Sequence, residues 1–221
     1  MTADEIISGF LIIHIAGGTA ALVSGLFSML SQKGGKVHRL AGKIYFWGMT
    51  AVFVGAVVVA LAHRNDFLLM VGFFSYYMTV RGYRILSLKK LDKGQKFAPL
   101  DFIIITVSAV FIFTLLVWGV WAWMHGSGMG IVALVFGLIG LTFLANDIKT
   151  YITPPKEKMH WWYTHIASMG GSYIAAFTAF VVVNIQLPQY QWVLWVLPSA
   201  IGGYLIGRTI KKYKRQFAES H

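Results

Sequence analysis

A small set of polar and ionisable side chains lies inside the long apolar runs of this chain, and these residues are the candidates for chemistry. The chain has no cysteine, so any metal or haem must be held by His, Asp, Glu, Met or Tyr. A charged side chain at the centre of a bilayer costs about 3 kcal/mol on insertion scales, and is a functional candidate for that reason. The candidate ligand- or cofactor-binding residues are His14, His38, Tyr77, Arg81, Asp147, His165, Ser168 and Ser172.

Two of these histidines lie in the first third of the chain. Helical spacing puts His14 on the same face as Gly17, a face suited to packing against another helix, so the imidazole should point into the protein. It is either a ligand or proton-handling group, or a neutral ring satisfied by a nearby hydroxyl or carbonyl. His38 shares one side of the entry to the next apolar run with Gly42 and Tyr45, and a histidine in such a loop is alternatively just solvated.

The third histidine, His165, shares a helical face with Ser168 and Ser172. Small residues on this face allow close approach of another helix or of a bound molecule. The serines can alternatively bond carbonyls of their own helix.

An arginine and an aspartate form the second part of the candidate site. Tyr77, Arg81 and Arg84 fall on one helical face, and Arg84 is expected to extend its guanidinium to the headgroups. Arg81 lies one turn deeper and needs an acidic partner, a phosphate-like ligand or a path to headgroups. Asp147 lies at a similar depth and either pairs with Arg81 or frames a polar pocket with it. Asp101 follows Pro99 and opens an apolar run, so it is expected to be the N-cap residue of a helix.

The deep histidines suggest two cofactor hypotheses. A b-type haem could be held between His14 and His165, although these differ in depth by about two turns. A divalent metal could be held by His14, His165 and Asp147. No HExxH-type spacing occurs, so the catalytic residues are unknown and the sequence leaves open whether the protein is an enzyme.

The elements that carry these residues are predicted to be membrane-spanning helices. The chain is 57% hydrophobic and only 12% charged, with a mean hydropathy of +0.66, which excludes an ordinary soluble protein. The net charge of +11 comes from basic clusters between apolar runs, which is typical of membrane flanks and not of nucleic-acid binding. Each predicted span is long enough to cross about 30 Å of hydrocarbon. The seven predicted spans are 6–30, 43–62, 67–87, 101–124, 128–150, 161–185 and 189–210.

The basic residues also predict orientation. Clusters of basic residues occupy alternate connections between the predicted spans: Lys33 to Lys43, Lys89 to Lys96, Lys149 to Lys158 and the tail from Arg208. Basic residues flank spans on the cytoplasmic side, so the N-terminus should lie outside and the C-terminus in the cytoplasm. The predicted fold is all-α: a polytopic integral membrane bundle of seven transmembrane helices. It forms a single domain, 1–221, with a basic cytoplasmic tail at 211–221, in the cytoplasmic (inner) membrane of the cell.

Two glycine-rich faces are expected to pack closely. One contains Gly17, Ala21 and Gly25 at four-residue spacing, and the other contains Ser199, Gly203 and Gly207. Their partners are other helices of the chain, a second copy of it, or another membrane protein.

Short motifs resemble a known family. They are H-I-x-x-G from His14, H-R-x-x-G-x-x-Y from His38, and His165 followed by M-x-x-S at Met169. This combination resembles the prokaryotic membrane family called domain of unknown function 2306, and the resemblance spans most of the chain. It implies the same architecture and choice of residues, but no activity, because none is established for that family.

Three functions fit these features. The first is a polar His/Arg/Asp pocket in the cytoplasmic half of the bundle that binds a cofactor (haem b or a divalent metal) or a small anionic or redox ligand. The second is a small-solute or proton transporter, with Arg81 as counter-charge and the histidines as proton relay. The third is a non-catalytic membrane partner or assembly factor.

Overall fold

The computed structural model describes residues 2–219, and within them the chain forms α-helices and two short 3₁₀ turns with no strand. Each helix corresponds to one predicted apolar run, which confirms the all-α prediction. The helices are α1 (Ala3–Leu30), α2 (Lys36–Ala62), α3 (Asp66–Arg84), α4 (Pro99–Met124), α5 (Gly128–Ile152), α6 (His160–Asn184) and α7 (Gln191–Glu219).

Six helices of the described chain are long and apolar enough to cross a membrane, and α3 is not among them. α3 has 19 residues and carries Asp66, Arg81 and Arg84. These six helices support the prediction of a multi-pass membrane protein.

Several helix boundaries differ from the predicted spans. α2 begins at Lys36, so His38 lies in its first turn and not in a loop. α4 begins at Pro99 with Ala98 as its N-cap residue, so the prediction of Asp101 as the N-cap residue is wrong by three positions. Asp101 lies in the first turn, and its carboxylate accepts the N–H of Ala98 at 2.7 Å. α7 continues to Glu219, so the predicted tail is helical from 211 to 219, and His221 lies outside the described residues.

Contacts divide the chain into two compact units, one ending at Tyr76 and one beginning at Tyr77, with the boundary inside α3. In the first unit, α1 packs closely on α2 through glycines, as predicted for the Gly17 face. A Cβ added to Gly17 would lie 2.8 Å from the carbonyl oxygen of Gly48, and one added to Gly55 would lie 2.7 Å from that of Phe10. Only glycine permits backbones to approach this closely.

In the second unit, α4 packs on α5, and α7 packs on both α5 and α6. α7 meets α6 through Gly202, whose position leaves no room for a Cβ beside Ile174, and through Ile206, which lies against Gly170. Gly203 and Gly207 have open space where a side chain would be. Within the described chain, therefore, the predicted Ser199 face of α7 does not pack through these two glycines; the contact with α6 is rotated toward Gly202.

Candidate functional site

Arg81 on α3 is the centre of a hydrogen-bonded network in the second unit. Its Nε donates to Oδ1 of Asp147 on α5 at 2.6 Å, and its Nη1 donates to Oγ of Ser168 on α6 at 2.5 Å. The hydroxyl of Tyr77 donates to Oδ2 of Asp147 at 2.6 Å. The structure therefore confirms the predicted partnership of Arg81 with Asp147 and adds Tyr77 and Ser168 to it.

The Arg81–Asp147 ion pair is largely buried, with the two side chains 7% and 18% exposed. The guanidinium carbon also lies 5.0 Å from the centre of the Phe143 ring, at cation–π distance. Desolvation of two charges is costly, and it is offset here by mutual attraction and by the added hydrogen bonds from Tyr77 and to Ser168. The pair is stable as a unit, and removal of either partner leaves a buried charge without compensation.

A second ion pair joins α3 to α4. Arg84 donates from Nε and Nη2 to the two carboxylate oxygens of Asp101, at 2.7 and 2.9 Å. This geometry is bidentate, the strongest arrangement for a guanidinium and a carboxylate. The structure thus gives Arg84 a carboxylate partner within the protein, and its extension to the headgroups stays a prediction. The sequence analysis did not predict this partner, although Asp101 lies in the first turn of the next helix along the chain.

Both ion pairs line one small cavity, which we call the Arg/Asp vestibule. Its volume is about 40 Å³. A cavity needs about 10–15 Å³ to hold one water molecule, so the vestibule has room for roughly three. Haem-sized and drug-sized ligands need pockets of about 300–1,000 Å³, so the vestibule does not fit haem. Its lining residues are Arg81, Arg84, Ile85, Leu88, Phe97, Asp101, Ile104, Ile105, Asp147 and Thr164.

The predicted face of His165, Ser168 and Ser172 packs against α3. Nδ1 of His165 donates to the carbonyl oxygen of Gly82 at 2.8 Å, and the hydroxyls of Ser172 and Thr79 are 2.6 Å apart. Both serines are fully buried. The sequence analysis allowed either another helix or a bound molecule to approach these small residues, and in the structure a helix, α3, packs against them.

The bond from His165 also serves the end of α3. Gly82 lies in the last turn of that helix, where carbonyls lack the regular partner four residues ahead. Since a carbonyl can only accept, the neutral ring must carry its proton on Nδ1 and keep its lone pair on Nε2.

His14 and His38 lie in the first unit and bond in the same way. Nδ1 of His14 donates to the carbonyl oxygen of Val52 at 2.9 Å, and Nδ1 of His38 donates to that of Ser28 at 2.9 Å. The structure thus matches the alternative in which His14 is satisfied by a carbonyl of a neighbouring helix. His38 joins the start of α2 to the end of α1.

Within residues 2–219, no group of three or more His, Asp and Glu side chains is placed to hold a metal ion. The predicted set of His14, His165 and Asp147 is therefore not assembled in the described chain.

Comparisons of the chain with protein-family models, with curated proteins and with solved structures found no match.

Proposed function

We propose that the protein crosses the cytoplasmic membrane seven times, with its N-terminus outside and its C-terminus in the cytoplasm. Six helices qualify by length and composition. α3 is about 28 Å long, close to the thickness of the hydrocarbon core, and its two arginines are paired with carboxylates of the protein. A span at α3 also keeps every strongly basic connection on one side. The resemblance to domain of unknown function 2306 agrees with this architecture, and membership of that family is part of the proposal.

We further propose that the Arg/Asp vestibule binds a small oxyanion together with a proton. The observation that carries this proposal is that two guanidinium groups line one cavity of about 40 Å³, each already neutralised by an aspartate that also lines it. Guanidinium groups bind carboxylates and phosphates through paired N–H donors. The room available fits a ligand of a few heavy atoms, such as a one- or two-carbon carboxylate.

Charge balance explains why the anion needs a proton. An anion that enters a neutral, poorly hydrated site adds an uncompensated charge, whereas protonation of Asp147 or Asp101 frees a guanidinium for it. Asp147 is the more accessible carboxylate, 18% exposed against 6% for Asp101. The ionisable groups around Asp147 are Tyr77 and Arg81 on α3 and His160 at the start of α6. Anion affinity should therefore rise as the pH falls.

The test is calorimetric titration of the purified protein with formate, acetate and phosphate at mildly acidic and at neutral pH. Wild-type protein should bind one of these more tightly at the acidic pH. Asp147→Asn should bind it at both pH values with little difference, because the amide carries no charge to neutralise. Lys36→Gln, a change of an exposed side chain at the start of α2, is the control and should behave as wild type.

Absence of binding by the wild type at either pH would refute the oxyanion proposal. Binding that Asp147→Asn leaves just as pH-dependent would refute the coupling to this carboxylate. If binding is found, uptake of the same anion into proteoliposomes with an inward proton gradient would distinguish a carrier from a binding protein.

A further inference from the structure

The last helix is longer than the hydrocarbon core of a membrane is thick. α7 has 29 residues and so is about 44 Å long, against about 30 Å of hydrocarbon. Its apolar part ends near Leu205, and Arg208, Lys211, Lys212, Lys214 and Arg215 follow within ten residues. The helix therefore continues without interruption from a span into the adjoining interface.

Aromatic contacts fix the rotation of this extension within the second unit. Tyr213 and Phe217 lie one turn apart on α7, and their rings contact the ring of Trp162 on α6 at centroid distances of 5.6 and 6.1 Å. Lys214 lies beside this contact, 4.9 Å from the Tyr163 ring and 3.4 Å from a carboxylate oxygen of Glu157. One face of the extension is thus held against α6.

The four remaining basic residues, Arg208, Lys211, Lys212 and Arg215, lie on the opposite face. At 100° per residue, the mean direction of their side chains is about 180° from that of Tyr213, Phe217 and Ile210. All four are exposed, whereas those three are half-buried. We call the four the basic stripe: Arg208, Lys211, Lys212 and Arg215.

We propose that the basic stripe binds the phosphate groups of anionic phospholipids in the leaflet where α7 ends. This inference depends on α7 crossing the membrane and not on the oxyanion site. Each headgroup layer is about 5–8 Å thick, and Arg208 lies about 4.5 Å beyond Leu205 along the helix, with Lys211 and Lys212 one turn further. These side chains are long enough to return to the phosphate level. Depth therefore favours lipid over an acidic protein or a nucleic acid, and a cluster of this kind is typical of anionic-lipid recognition.

The experiment compares lipid retention in two variants of equal charge. One replaces the stripe (R208Q/K211Q/K212Q/R215Q), and the control replaces four exposed lysines of other connections (K36Q/K90Q/K93Q/K96Q). Each protein is purified from vesicles of equal parts phosphatidylcholine and phosphatidylglycerol, and the bound phosphatidylglycerol is counted by native mass spectrometry. Since each basic side chain near the surface is worth roughly fivefold in affinity, the stripe variant should lose about tenfold or more. The control should lose clearly less, and raised salt should weaken the wild-type binding.

Equal loss in both variants would overturn the proposal, because net charge alone would then explain binding. Full retention by the stripe variant would also overturn it, as would retention of RNA or an acidic protein by the stripe in place of lipid. Inorganic phosphate added in detergent should shift the melting temperatures of the wild type and of the stripe variant by the same amount, because free phosphate is not expected to bind the stripe. The stripe variant should melt as wild type does in phosphatidylcholine alone, which shows that it folds.

Discussion

At the scale of single residues, buried charges and imidazoles in this protein bond to atoms of neighbouring helices. Arg81 bonds to α5 and α6, Arg84 bonds to α4, and His14 and His165 bond to carbonyls of other helices. A backbone carbonyl or a carboxylate is the best available partner where water is scarce. The polar residues of the candidate site therefore serve packing as well as any chemistry.

The Arg81–Asp147 pair predicts non-additive mutations. Arg81→Ala should cost about 3–5 kcal/mol of folding free energy, because Asp147 stays buried without a counter-charge. Asp147→Asn in the same chain should recover part of that loss. Unfolding of both single variants and the double variant in detergent measures the coupling, and strictly additive losses would show that the two residues do not depend on each other.

His165 should act through its Nδ1 proton. His165→Ala removes the donor to the Gly82 carbonyl and should cost about 1–3 kcal/mol. In His165→Asn the side-chain amide places a donor near the position of Nδ1, so this variant should melt between alanine and wild type. If asparagine melts no higher than alanine, the lost ring packing, and not the hydrogen bond, accounts for the effect.

At the scale of helices, the distance between backbones depends on which glycines face a neighbour. Gly48→Ala puts a methyl group 2.8 Å from the carbonyl oxygen of Gly17 and should destabilise the α1–α2 contact by about 1–3 kcal/mol. Gly203→Ala adds a methyl group in open space and should be neutral or stabilise α7 by up to about 1 kcal/mol. Melting temperatures of the two variants provide the test. A loss on Gly203→Ala that depends on protein concentration would show that this face contacts a second copy.

The serine face of α6 gives a second prediction at this scale. Ser172 is fully buried against Thr79 of α3, so Ser172→Leu should push the two helices apart and lower the melting temperature. The expected cost is about 1–3 kcal/mol. Ala179→Leu, on an exposed part of the same helix, is the matched control and should have little effect in a lipid-facing position. Unchanged melting of Ser172→Leu would show that this face has room beside it.

At the scale of the whole molecule, topology depends on α3. If α3 crosses the membrane, a reporter fused after Asn65 should read external and one fused after Lys93 should read cytoplasmic. Fusions after Ser127 and Gln186 should also read external, and one after Lys156 should read cytoplasmic. Matching signals from Asn65 and Lys93 would mean that α3 does not cross, and the depths assigned to Arg81 and Asp147 would have to change.

The sequence alone determined which segments form helices, although not their ends, because a segment of about twenty predominantly apolar residues has few alternatives to a helix in a membrane. It also determined which residues share a face, since that follows from 3.6 residues per turn. On this basis Tyr77 and Arg81 were grouped correctly, as were His165, Ser168 and Ser172, and Asp147 was matched with Arg81 by depth.

Only the tertiary structure decided which face meets which neighbour. Helical periodicity does not distinguish a face that packs through Gly202 from one that packs through Gly203, because the choice depends on Ile174 in another helix. For the same reason the partner of Arg84 could not be read from its own segment: Asp101 reaches it because α4 begins beside the end of α3. Contacts between segments depend on how whole helices fit together, and no local pattern of residues contains that information.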